Sequence, residues 1–349
     1  MTANTDWNLL NQLPKVDLHL HLDGCVKPET ALELAREQGI ALPVTGEEAL
    51  RPYMQVTDAC GSLKEYLSKF NFTGQFLQTG AALTRVAYEV VEQAADQRCG
   101  YIEVRFAPQL HRGQGLSLDD ALHFVTEGLK QGEARFKVKA RAIVICMRNH
   151  PPEVNREVID AAARYLGRGV VAVDLAGDEA SYPAELFRDT FTRARQHGIP
   201  VTIHAGEAAG PENIYEAITQ LGAVRIGHGV RLQENPEVLD LIRERHVPLE
   251  LCPISNIQTK AVSGWEAYPI KRYFEQGLLL TINTDNPVVS STTITREYRT
   301  IAEKFQFTLR ELAALIMNGV EAAFLQPGEK QQLRVDFTRR FKELNVPLL

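Results

Sequence analysis

The sequence predicts an α/β protein, a (β/α)8 TIM barrel with a helical cap inserted after strand 1 and extra C-terminal helices. Three observations carry this. Eight short aliphatic or alternating runs recur along the 349 residues, stretches with helical periodicity separate them, and the titratable residues at the C-terminal ends of those runs form a chemically coherent set. Strands this short, alternating with helices, do not suit a sandwich.

The runs are 16–21, 101–106, 138–146, 170–175, 200–204, 224–228, 247–252 and 278–284. The first is the most regular. From Lys15 to Gly24 apolar and polar residues alternate, so a strand there puts Asp17, His19, His21 and Asp23 on one face and four aliphatic residues on the other. Such a polar face lines a cavity holding something it binds, and a metal ion is the leading candidate.

The connection between the first and second runs is unusually long and holds helical patterns at 28–38, 63–70 and 81–97. It leaves the C-terminal end of a barrel strand, the face where active sites sit, so residues 24–100 are expected to form a cap over the mouth. Further helices are expected at 183–197, closed by Gly198, and at 236–245. After the last strand, 292–305, 309–324 and 329–344 read as helices closing the outside. No repeat, low-complexity tract or flexible linker divides the chain, so 1–349 is expected to be a single domain.

A hydrophobic content of 44% and a charged content of 23% exclude disordered and fibrous classes. A net charge of -6 argues against nucleic acid as a partner, which would call for surplus Lys and Arg. The first fourteen residues lack the basic start and apolar stretch of a secretory signal, and no run of 18 apolar residues exists to span a membrane. A cytoplasmic protein is expected. Five widely spaced cysteines (Cys25, Cys60, Cys99, Cys146 and Cys252), with no C-x-x-C pair, suit a reducing compartment and read as bystander thiols.

His19 and His21 end the first strand, Asp174 and Gly177 follow the fourth, His204 ends the fifth, His228 the sixth, and Asp285 follows the eighth. Three imidazoles and a carboxylate reaching one point from three strands match the ligands of a borderline-soft divalent ion such as zinc. Glu207, three residues after His204, is placed to carry protons beside that ion; alone, it would read as an acidic residue in the first turn of the next helix. Asp285 and Asn286, before Pro287, can point to metal and substrate respectively, or form an Asx turn. His228 is open to two roles, fourth nitrogen ligand or partner that orients the attacking water. His197 and His246 at helix C-termini, and His111, His123 and His150 in loops or on an exposed helix face, are given no catalytic role.

Six segments in order, Asp17-Leu-His-Leu-His-Leu-Asp-Gly24, Asp174-Leu-Ala-Gly-Asp-Glu179, His204-Ala-Gly-Glu207, Arg225-Ile-Gly-His-Gly229, Glu250-Leu-Cys-Pro253 and Asn283-Thr-Asp285, resemble the adenosine deaminase family of the amidohydrolase superfamily nearly end to end. The resemblance implies one Zn2+ per subunit held by His19, His21, His204 and Asp285, with water as the remaining ligand. It makes Glu207 the proton donor to purine N1 and His228 the residue orienting the nucleophilic water. It turns His21, Asp23, Gly177 and Asn286 towards the substrate, Asp23 at the ribose 5′-hydroxyl and Gly177 through its backbone. Many members carry a second Asp where this chain has Asn286; an amide N–H donates to purine N7 at any pH, whereas a carboxylate must be protonated to do so.

The activity implied is hydrolytic deamination of adenosine, and of 2′-deoxyadenosine, to inosine and ammonia in purine salvage, with a small purine nucleoside as partner. Deaminases of adenine, aminodeoxyfutalosine or methylated adenine nucleotides share the zinc motifs, but Asp23 favours a free hydroxyl over a phosphate. A binuclear hydrolase would want a carboxylated Lys at the end of the fourth strand, and 170–177 contains none. A non-catalytic relative retaining the barrel is opposed by the intact Glu207 and ligand set.

Overall fold

The computed structural model describes residues 7–61 and 63–348. All eight expected runs are strands: β1 (Lys15–His21), β2 (Cys99–Phe106), β3 (Lys139–Met147), β4 (Val170–Ala176), β5 (Thr202–Ala205), β6 (Arg225–His228), β7 (Leu249–Leu251) and β8 (Leu280–Ile282). They pair in parallel in chain order, β1 to β4 and β5 to β8. Isolated parallel bridges, Val173 with Val201 and Leu20 with Asp285, join the two sheets at both seams. The last two strands are shorter than their apolar runs. Pro248 has no N–H to give a ladder, and the Val247 and Leu278 N–H groups turn back to the preceding helices.

Helix α1 (Trp7–Gln12) precedes the barrel, and four helices fill the long first connection: α2 (Pro28–Gln38), α3 (Glu47–Met54), α4 (Leu63–Gly74) and α5 (Gly80–Asp96). Among these α3 has no counterpart in the sequence expectations. These helices divide in role. Helix α5, capped by the Thr79 hydroxyl on the Ala82 N–H, packs along β2 and α6 (Leu118–Phe136) as an outer barrel helix. The α3–α4 region instead reaches the loop after β8, where Tyr66 hydrogen-bonds Ser290 at 2.7 Å and the Val56 N–H bonds the Val289 carbonyl at 2.8 Å.

The remaining helices are α7 (Pro152–Tyr165), α8 (Arg188–Gln196), α9 (Pro211–Thr219), α10 (Pro236–Glu244), α11 (Pro253–Gln258), α12 (Ile270–Glu275), α13 (Ile294–Phe305), α14 (Leu309–Ala322) and α15 (Pro327–Glu343). Where one helix was expected over 183–197, a 3-10 turn at Ala184–Phe187 precedes α8. Capping boxes at Ser117 with Asp120 and at Thr308 with Glu311 start α6 and α14. Among the described residues no helix is long and apolar enough to cross a membrane.

One histidine departs from its expected setting. His111 is buried, because the turn Pro108–Leu110 folds it back beside the Phe106 ring, and burial lowers its pKa to about 4. His123, His197 and His246 are exposed, and all five cysteines are buried and form no disulfide.

The barrel interior departs from the usual layers of aliphatic side chains. Glu103, Arg225, Glu250, Arg105 and Asp174 form a ladder of alternating charge, all almost fully buried. Arg225 joins Glu103 at 2.5 Å and Glu250 at 2.6 Å; Arg105 joins Glu250 and Asp174 at 2.8 Å each. Tyr101 and the Phe324 N–H close the Glu103 end, and Thr202 donates to Glu250.

Helices α5 and α6 touch at glycines. A Cβ on Gly128 would lie 2.3 Å from the Thr84 carbonyl oxygen and 2.8 Å from Ala87, contacts that backbone cannot yield cheaply. Gly128→Ala is expected to lose about 1–3 kcal/mol of stability in urea unfolding; an unchanged midpoint would contradict this packing.

Candidate active site

At the C-terminal rim of the barrel, His19, His204, His228 and Asp285 each bring a donor atom within 4.8 Å of the others. His21 joins from the other side. Its Nε2 lies 3.3 Å from His204 Nε2 and 3.3 Å from Asp285 Oδ1, while His19 Nε2 lies 3.5 Å from the same carboxylate oxygen. Donors about 2.0–2.1 Å from a shared tetrahedral ion are about 3.3–3.4 Å apart, so this spacing fits a metal. Buried His19 Nε2 also has no hydrogen-bond partner, an orphan that a cation would satisfy.

The partners of the other ring nitrogens decide which histidines can be ligands. His19 Nδ1 faces Glu250 at 2.8 Å, and His204 Nδ1 faces Asp174 at 2.9 Å. A carboxylate takes the Nδ1 proton, leaving each Nε2 with a lone pair aimed at the centre. His228 is arranged oppositely: its Nδ1 accepts from the Asn256 side-chain amide at 2.9 Å, and Tyr268 donates to the amide oxygen. Its proton therefore sits on Nε2, 3.5 Å from Glu207 Oε2, which makes this nitrogen a donor and not a ligand. That leaves His19, His21, His204 and Asp285 as the set that fits a metal. The remaining Asp285 oxygen accepts from Ser255 at 2.5 Å.

Glycine allows the rings to meet. A Cβ on Gly227 would stand 3.0 Å from the His19 ring and 3.3 Å from the His204 backbone. Glu207 sits in the loop after β5, four residues ahead of Pro211, the first residue of α9; it is no first-turn helix residue. Thr259 donates to its Oε1 at 3.1 Å, and burial raises its pKa. Gly177 leaves β4 with φ +108°, Asp23 begins the turn after β1 partly exposed, and Asn286 is buried against Gly24 with its amide oxygen unpaired.

Several contributors escaped the reading of the sequence as site residues: Glu250, Arg105, Ser255, Asn256, Thr259 and Tyr66. The first two carried a signal, a charge inside a mostly apolar strand. The hydroxyl and amide residues of α11 carried none, because only the fold brings that short helix beside β6 and β8.

The family model for adenosine deaminase matches residues 14–338. Among similar proteins, the adenosine deaminase of Vibrio vulnificus is 41% identical over 92% of this chain and 97% of its own length. That of Enterococcus faecalis is 43% identical over 93% and 96%. Among solved structures, an adenine deaminase from Arthrobacter aurescens superposes with a TM-score of 0.87 at 27% identity, covering 95% of this chain and 99% of the other. With matches of this extent, and six ordered motifs whose side chains meet at one end of the barrel, the chain belongs to the adenosine deaminase family.

Proposed function

We propose that the protein hydrolyses the 6-amino group of adenosine, and of 2′-deoxyadenosine, to give inosine and ammonia, with one zinc ion held by His19, His21, His204 and Asp285. The observation that carries this reading is the convergence of two carboxylate-oriented imidazoles, His21 and Asp285 on one point, with the largely enclosed Glu207 carboxyl, 13% exposed, beside it. When bound, such an ion supplies a Lewis acid that brings the pKa of water from about 15.7 towards 7.

The chain's own groups do the rest. Burial keeps a proton on Glu207 to higher pH than on a free glutamic acid, and the Thr259 hydroxyl on Oε1 leaves Oε2 to present it. Donation to purine N1 draws electrons from the C6–N1 bond as a water oxygen adds at C6. The C6–amino bond then breaks: one proton of the water leaves with the amino group as ammonia, the other passes from the C6 hydroxyl back to Glu207, and the oxygen stays as the 6-oxo group of inosine. His228, with its proton on Nε2, steers that water by hydrogen bonding.

Asp23 at the rim accepts from the ribose 5′-hydroxyl and repels a phosphate there. The Gly177 backbone meets the purine edge, and Asn286 donates to N7 without needing to be protonated. The 41–43% identity to adenosine deaminases, against 27% to the adenine deaminase, supports the nucleoside over the free base. Five cysteines that form no disulfide fit a place in cytoplasmic purine salvage.

Glu207→Gln is expected to lower kcat/KM for adenosine at least about 100-fold, followed as the change in ultraviolet absorbance on forming inosine; full turnover would remove Glu207 from the chemistry. Stripping metal with a chelator is expected to lower Tm as well as activity, and added zinc should restore both. In Asp285→Ala that zinc-dependent rise in Tm should vanish; if it persists, the ion sits elsewhere. Asn286→Ala should raise KM for adenosine about tenfold, the effect of one lost hydrogen bond, and unchanged kinetics would take Asn286 out of the substrate contacts.

A further inference from the structure

Glu179, in the loop after β4, has no part in the chemistry above, yet it is only 3% exposed and its carboxylate is crowded with donors. Four consecutive backbone N–H groups of the loop after β5 converge on it. Gly206 donates to Oε1 at 2.7 Å; Glu207, Ala208 and Ala209 donate to Oε2 at 3.0, 2.7 and 3.0 Å. These residues precede α9, so no helical carbonyl takes their hydrogens.

The loop is gripped on its carbonyl side as well. Arg148 donates to the His204 carbonyl at 2.7 Å and to that of Tyr182 at 2.5 Å, and Arg231 donates to the Ala208 carbonyl at 3.1 Å. The curl passes through Gly206 at φ +70°, where a Cβ would meet Ile214 at 2.4 Å. The acceptor sites of Glu179 are filled by the loop, which leaves it poorly suited to binding substrate itself.

We propose that Glu179 is a positioning residue for the deamination: by gathering the four N–H groups of 206–209 it fixes the backbone of Glu207 and so aims that carboxyl at the N1 edge of the purine. The proposal rests on the role given to Glu207 above. A glutamine at 179 keeps the shape but turns an NH2 group towards at least one of the four donors, so the curl must open. A displacement of about 1 Å at a reacting group lowers rate about 100-fold.

The test is a double-mutant cycle of Glu179→Gln and Glu207→Gln, with metal content and the far-ultraviolet dichroism of each protein measured beside the kinetics. Glu179→Gln is expected to lower kcat about 100-fold with KM within about threefold, one metal per chain and unchanged dichroism. In the Glu207→Gln background the same change should cost less than about threefold, because the group it aims is already gone. Glu179→Asp, which keeps the charge but shortens the reach, should fall between, and it serves in the cycle if the Gln variant does not fold. Wild-type kcat in Glu179→Gln, a loss that tracks missing metal, or the full loss repeated in the Glu207→Gln background would each overturn the proposal. Full activity of Glu207→Gln alone would instead overturn the role of Glu207.

Discussion

The charge ladder inside the barrel is the constraint on which the site depends. Two guanidinium groups and three carboxylates lie out of water, and removing one partner of such a pair typically costs about 3–5 kcal/mol, because the other charge is left buried and uncompensated. Burial pushes Asp174 and Glu250 towards neutrality, yet His204 and Arg105 hold Asp174, and Arg105 and Arg225 hold Glu250, well below the usual carboxylate range. As anions these two acids accept the Nδ1 protons of His204 and His19. The tautomers, and with them the direction of the Nε2 lone pairs, are thus set by two buried carboxylates that the arginines of the ladder help to keep ionised.

A second constraint is where the barrel closes. Asp285 has φ +60° and His228 φ +62°, conformations that carry strain of order 1–3 kcal/mol for residues other than glycine. Both stand at the rim, and each is held from several directions. Asp285 donates its N–H to the His19 carbonyl at 2.7 Å and accepts the His21 N–H at 2.8 Å, while Ser255 holds its side chain. The bonds that shut the seam between β1 and β8 are therefore those that bring a carboxylate to the two imidazoles of β1. Loosening that seam would separate donors that lie 3.3–3.5 Å apart.

Strands and site were legible in the sequence to different depths. The alternation at 15–24 showed which side chains of β1 share a face, and the position of His204, His228 and Asp285 at the ends of apolar runs showed that they meet. Periodicity could not separate α5, a barrel helix, from the α3–α4 region near the mouth, because both bury one apolar stripe and differ only in what lies beneath it. Nor could it choose between two roles for His228. That choice depends on which atom Asn256 presents to Nδ1, a contact between residues 28 positions apart. The ladder was half visible, since Glu103, Arg105, Arg225 and Glu250 are charges within apolar strands, but their pairing needs the closed ring.

Shared protons could in principle hold a cluster of imidazoles together without a cation. The surroundings oppose it. Burial, helped by Arg105 and His204, brings His19 down to about 4, and burial takes His21 well below its ordinary value although Asp285 pulls the other way. Near neutral pH both rings are then uncharged with a single N–H each. On His19 that hydrogen is committed to Glu250, so Nε2 is left with a lone pair and nothing to accept. Any one proton placed among the rings would satisfy one such pair and leave its neighbours facing each other at van der Waals range. His204 differs, because the Asp174 carboxylate outweighs burial and raises its pKa; a divalent cation takes the place of that extra proton and engages all the donors together, on nitrogens whose direction the ladder beneath them fixes.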